Sequence, residues 1–218
     1  MKKLITIIGA GPGISQGVAD KFGKENFKIA LISRTESKLQ EQVMDLAKNG
    51  IDATYAVADV ANQDSLKSAL LSIKEKEGHA EVILYNAVAF SGMDILDQKW
   101  ETIREQMDVN VGGYFNLMKM VLPFCIKENK GNLFVTNGGF ALSGDDQLTS
   151  LSVGKAALRN LVQAFQKKAT GTNVHIAQLT VCGFVNPNDE KYSPKAIAEQ
   201  YWKLYLQNIE QFELEIIY

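Results

Sequence analysis

Cysteine, histidine, proline and surplus charge are all scarce in this chain. Its 218 residues include two cysteines, two histidines and four prolines. Cys125 and Cys182 stand far apart in no Cys-x-x-Cys or His/Cys cluster, so neither a disulfide framework nor a zinc site is indicated. Unpaired thiols suit a reducing cytoplasm. His79 and His175 are isolated, and no metal ligation is expected of them. Lys and Arg number 23 against 25 Asp and Glu, a net charge of −2. That balance lacks the basic footprint of a nucleic-acid or anionic-membrane partner. Long hydrophobic runs are lacking too: no stretch is expected to approach the roughly 20 apolar residues of a bilayer span. The run Leu4–Ile8 behind Lys2 and Lys3 is too short for a signal peptide and reads as a buried strand.

What is present is a core. Apolar residues make up 46% and aromatics 9%, enough for one domain over residues 1–218 without metal or disulfide staples. Short Val/Ile-rich runs at Leu4–Ile8, Lys28–Ser33, Ala53–Ala58, Glu81–Tyr85, Asn132–Thr136 and Val174–Val181 read as strands covered on both faces. Between them, Ile14–Phe22, Glu36–Lys48, Asp64–Glu77, Lys99–Ile126 and Val153–Ala169 carry apolar residues three and four apart, the helical period. Pro194 opens a further helix, and Phe212–Tyr218 reads as a last edge strand. Such alternation predicts an α/β fold: a doubly wound parallel sheet between two helical layers. Ligands of such sheets bind outside the carboxyl ends of the strands.

The loop after the first strand is Gly9-Ala10-Gly11-Pro12-Gly13-Ile14-Ser15. Glycines let the backbone turn sharply and approach a pyrophosphate, and the following helix offers it unpaired N–H groups. A tight turn without a ligand is the alternative. At the end of strand two stands Ser33-Arg34-Thr35, with no carboxylate before Glu36. An acidic residue there would hold a ribose 2′-hydroxyl; an arginine accommodates a 2′-phosphate, so NADP(H) is favoured over NAD. A solvated Arg34 is the plainer reading.

These residues resemble the short-chain dehydrogenase/reductase family along nearly the whole chain. Gly9-x-x-x-Gly13-x-Ser15 is similar to its cofactor motif, with serine for the last glycine. Asp59-Val60 resembles the pair that contacts adenine, and Asn86-Ala87-Val88 the family's Asn-Ala-Gly. Asn110 matches the helix asparagine of the catalytic tetrad, Lys155 its lysine, and Cys182-Gly183-Phe184-Val185 the Pro-Gly-x-Val segment beside the nicotinamide. The resemblance implies a Rossmann fold, cofactor contacts from those loops and from Lys155, and a homodimer or homotetramer packed through the helices bearing Asn110 and Lys155. On residue grounds alone, Asn86 could hold only its turn and Lys155 could be a solvated side chain; Cys182 could be an exposed thiol near a substrate, but a small buried residue at a strand end is the commoner case and the one expected.

The catalytic pattern departs from the family. Thr136-Asn137-Gly138-Gly139 occupies the region of the family's serine, and Leu151 stands where its tyrosine should be. Leucine has no proton to give and glycine no hydroxyl, and general acid–base help is typically worth about 10²–10⁴ in rate. Ser150 and Ser152 do not replace the phenol, because successive helical residues point about 100° apart. Asp145 and Asp146 read as solvated loop carboxylates. A short substrate lid is expected around residues 186–200, leaving the site open to water. Two readings follow: an NADP(H)-dependent oxidoreductase of unknown substrate with a degenerate site, or a noncatalytic NADP(H)-binding sensor or interaction protein.

Overall fold

The strands that the sequence marks pair side by side in a computed structural model, which describes residues 2–218. They are β1 (Lys3–Ile8), β2 (Phe27–Ser33), β3 (Ala53–Val57), β4 (Val82–Tyr85), β5 (Gly131–Gly138), β6 (Val174–Val181) and β7 (Glu215–Ile217). The order is β3-β2-β1-β4-β5-β6-β7 and every pairing is parallel. The helices are α1 (Ile14–Lys24), α2 (Glu36–Lys48), α3 (Gln63–Glu77), α4 (Trp100–Met107), α5 (Gly113–Glu128), α6 (Thr149–Lys168) and α7 (Pro194–Leu206). Strand order reverses beside β1, so the loops after β1 and β4 meet at the carboxyl end of the sheet.

Successive strand residues face opposite sides, which divides the core in two. Leu4, Ile8, Ile32, Tyr85 and Val135 pack under α3, α5 and α6, while Ile5, Ile7, Leu31, Leu84 and Leu179 pack under α1, α2 and α7. On the second side Phe22 meets Phe27 and Trp202 edge-on, each pair with ring centroids 5.2 Å apart. Edge-on pairs of this kind add about 0.5–1.5 kcal/mol each beyond the area they bury.

Three expectations need correction. The helix expected over Lys99–Ile126 is interrupted: Asp108–Gly112 widens into a π turn between α4 and α5. The buried Tyr85 hydroxyl donates to the Val109 carbonyl there, drawing an acceptor out of the helical ladder. The final strand is only Glu215–Ile217, because Ile209–Gln211 forms a 3₁₀ turn and Phe212 stacks on His175 instead of pairing. One helical run, Trp100–Glu128, does pass the length and composition test for a bilayer span. Its Leu117, Met118 and Leu122 are buried in the core beside α3, as in a core helix.

Candidate active site

Gly9 ends β1 in the left-handed region, φ +87°, and a Cβ placed on it would lie 2.3 Å from the Ala87 nitrogen. Only glycine lets these two loops touch. Asn86 Nδ2 donates to the Gly9 carbonyl at 3.2 Å, so Asn86 ties the β1 and β4 loops together. Gly11 and Gly13 differ: a Cβ on either would meet no atom within 4 Å. Nothing in the chain itself requires glycine there; the loop keeps that space open. Ser15 is buried, and its hydroxyl accepts from the Gly11 N–H and donates to the Gly11 carbonyl, both at 2.9 Å. Serine in place of a third glycine therefore braces the loop.

A cavity of about 240 Å³ opens above these glycines. Gly9, Gly11, Gly13, Ile14, Ser33, Arg34, Asp59, Val60, Asn86 and Ala87 all line it, as do Ala10, Ser15 and Val88 of the same motifs, together with Ala58 and Val109. Pro12 is exposed and outside the lining. Arg34 is exposed and enters none of the ion pairs or side-chain hydrogen bonds among the described residues. Glu36, the nearest carboxylate in sequence, accepts instead from the Tyr55 hydroxyl at 3.1 Å. Asp59 caps its own turn, accepting from Ala61 N–H at 3.0 Å.

The remaining predicted residues lie deeper or farther along the strand ends. Asn110 is buried in the π turn, and its amide makes two 2.8 Å bonds with the backbone of Ala89, donating to the carbonyl and accepting from the N–H. Gly154 in α6 makes room for it, since a Cβ there would stand 2.8 Å from Asn110 Nδ2. Lys155 is buried, and its Nζ donates to the Thr136 carbonyl at 2.9 Å. Loss of hydration pushes the amine down to about 8. Leu151 is buried one turn earlier, and beside β6 a Cβ on Gly138 would approach nothing closer than 3.7 Å, so a side chain would fit there. Thr136 does carry a hydroxyl, but it is buried against that of Tyr201 at 2.7 Å.

Beyond β6, Gly183 lies beneath the Tyr192 ring, where a Cβ would come within 2.3 Å, and Val185 is exposed. Cys182, expected to be buried, is exposed, because it stands one residue past the last covered position of β6. Of the stretch 186–200 expected to act as a lid, residues from Pro194 onward belong to α7, whose Ile197, Ala198, Tyr201 and Leu204 are core.

The short chain dehydrogenase family matches residues 3–196 of the chain. The protein belongs to that family. This family member is 24% identical to an uncharacterized oxidoreductase of Staphylococcus aureus strain N315, over 90% of this chain and 88% of the relative. It superposes on a short-chain dehydrogenase from Rhodopseudomonas palustris with a TM-score of 0.87, at 23% identity, covering 98% of this chain and 96% of the other. Against an actinorhodin polyketide ketoreductase with NADPH the TM-score is 0.89 at 17% identity, covering 98% and 94%. The solved short-chain dehydrogenases thus share the fold of this chain.

The sequence signals for two further glycines were present but unused. Gly17 in α1 and Gly113 at the start of α5 sit inside helices, where glycine costs roughly 1 kcal/mol unless close packing needs it. A Cβ on Gly17 would lie 2.3 Å from the Pro194 carbonyl oxygen, and one on Gly113 would lie 2.4 Å from the Tyr85 hydroxyl.

Proposed function

We propose that this short-chain dehydrogenase binds NADP(H) and acts as an oxidoreductase whose site lacks the family's hydroxyl pair. The observation that carries the cofactor assignment is the unpaired Arg34 guanidinium on the rim of a glycine-lined cavity, with Glu36 turned away onto Tyr55. The space above Gly11 and Gly13 and the N-terminus of α1 fit a pyrophosphate, Arg34 a 2′-phosphate, and Asp59 and Val60 the adenine side. Ser33, Asn86 and Ala87 complete the walls, and Lys155, Gly183 and Val185 are assigned to the nicotinamide end. When bound, the nicotinamide supplies or accepts a hydride.

The chain's own contribution is positioning and charge. Asn110 holds the β4 loop by its paired bonds to Ala89, and Lys155 holds a cation at the end of β5. At neutral pH the Lys155 amine stays protonated, so it stabilises negative charge developing nearby. Neither the Leu151 side chain nor Gly138 donates a proton, so the proton that a product alkoxide takes up comes from water or from the substrate itself. The loops after β4, β5 and β6 expose Phe90, Leu142 and Phe184, which favours an apolar substrate. The buried Leu151 favours the second reading, a noncatalytic NADP(H)-binding protein. Two further proposals go with either reading: assembly as a homodimer or homotetramer through α5 and α6, which expose Phe115 and Val153, and residence in the cytoplasm, where the free Cys125 and Cys182 stay reduced.

Turnover separates the readings. NADPH absorbance followed against aldehydes, ketones and quinones should fall at a rate abolished by Lys155→Ala, and Gly138→Ser with Leu151→Tyr should raise that rate. No oxidation in the wild type, with activity appearing only in the double variant, establishes the noncatalytic reading.

A further inference from the structure

Gly11 lines the cavity above the glycine loop, and Pro12 follows it, so the peptide between them has no N–H and only its carbonyl could face a ligand. A carbonyl oxygen turned into that space would set partial negative charge against a pyrophosphate. Two side chains hold it elsewhere. The Ser15 hydroxyl donates to it at 2.9 Å, and so does Gln42 Nε2, also at 2.9 Å, from α2. Gln42 stands outside the cavity lining, so its bond draws the oxygen toward α2.

The orientation of the Gln42 amide is fixed from outside the loop. Its Nε2 also donates to Gln16 Oε1 at 3.0 Å, and Gln16 Nε2 donates in turn to the Asp20 carboxylate at 3.2 Å. A carbonyl and a carboxylate only accept, so turning either amide over would set oxygen against oxygen. Gln42 Oε1 is buried with no partner among the described residues. A buried acceptor left unpaired costs stability, so the fold alone would be served better by an apolar side chain here.

We propose that Gln42 is a positioning residue for the cofactor loop: the chain Asp20–Gln16–Gln42 holds the Gly11 carbonyl away from the anion and leaves the N–H groups at the start of α1 to meet the pyrophosphate. No side chain caps α1 at Gly13, so those N–H groups stay available. α2 begins two residues after Arg34, so the same bond ties the glycine loop to the segment whose guanidinium is assigned to the 2′-phosphate. This role rests on the cofactor reading above.

Gln42→Met keeps the length of the side chain and removes the donor. In equilibrium titrations of the full chain it should weaken NADP⁺ about tenfold, the worth of one hydrogen bond. Adenosine 2′-monophosphate, which carries the 2′-phosphate and no pyrophosphate, should bind the variant as it binds the wild type. The thermal midpoint should not fall, since the unpaired oxygen leaves with the donor. Should the methionine variant fail to fold, Gln42→Glu keeps the shape and sets an acceptor against the Gly11 carbonyl. It should weaken NADP⁺ at about pH 8 and recover toward the wild type at about pH 5, where a protonated carboxyl donates again. The proposal alone is overturned if NADP⁺ binds the wild type and the Gln42 variants equally, or if Gln42→Met weakens both ligands to the same extent, as a loss of packing would. A wild type that binds neither ligand overturns the cofactor reading itself.

Discussion

Gly9 and Gly11 stand two residues apart in one loop and answer to different constraints. Gly9 is needed by the fold, through its left-handed φ and its contact with Ala87; Gly11 leaves open space. Gly9→Ala should therefore cost about 2–4 kcal/mol in urea unfolding. Gly11→Ala should alter stability by less than about 1 kcal/mol, yet weaken NADPH binding at least tenfold, because its methyl group fills the space assigned to the pyrophosphate. Lys155 makes a second residue-scale prediction. Its amine sits at about 8 in the folded protein against 10.5 when exposed. Between those values the unfolded chain binds more protons at this site, so stability rises with pH across the window and is level below it. Lys155→Met should abolish the rise, as measured by the difference in unfolding free energy between about pH 8 and about pH 10.

At the scale of elements, α1 and α7 meet at Gly17 and Pro194 with no room for a methyl group. Gly17→Ala should lower the thermal midpoint by roughly 5–10 °C, taking about 2–4 °C per kcal/mol at this chain length. The elements easiest to read from sequence were those whose signal is local: β1, β2, β6 and α2 are bounded by turn residues and keep one period throughout. The break between α4 and α5 was not legible, because its cause is the Tyr85 hydroxyl reaching Val109 from 24 positions away. β7 was overextended for the same reason: Phe212 is apolar enough for a strand, but the His175 ring claims it. Site legibility divides along similar lines. The glycine loop, Arg34, Asp59 and Asn86 each follow a strand directly and gather at the switch point without further information. The orientation of Lys155 onto the Thr136 carbonyl depends on contacts between distant strands and helices.

Across the whole molecule, the two halves of the site have diverged. The half at β1–β3 has an open cradle with an unpaired guanidinium, and the half at β5 and α6 has the buried Lys155 with Leu151 and Gly138 near it, neither of which carries an ionisable group. We propose that the first half holds NADP(H). Equilibrium titration of the wild type and Arg34→Ala with NADPH and NADH tests it directly. The wild type should bind NADPH at least tenfold more tightly than NADH, and Arg34→Ala should remove most of that preference while leaving NADH binding nearly unchanged. Equal affinities for the two dinucleotides in the wild type, or binding of neither, would contradict it.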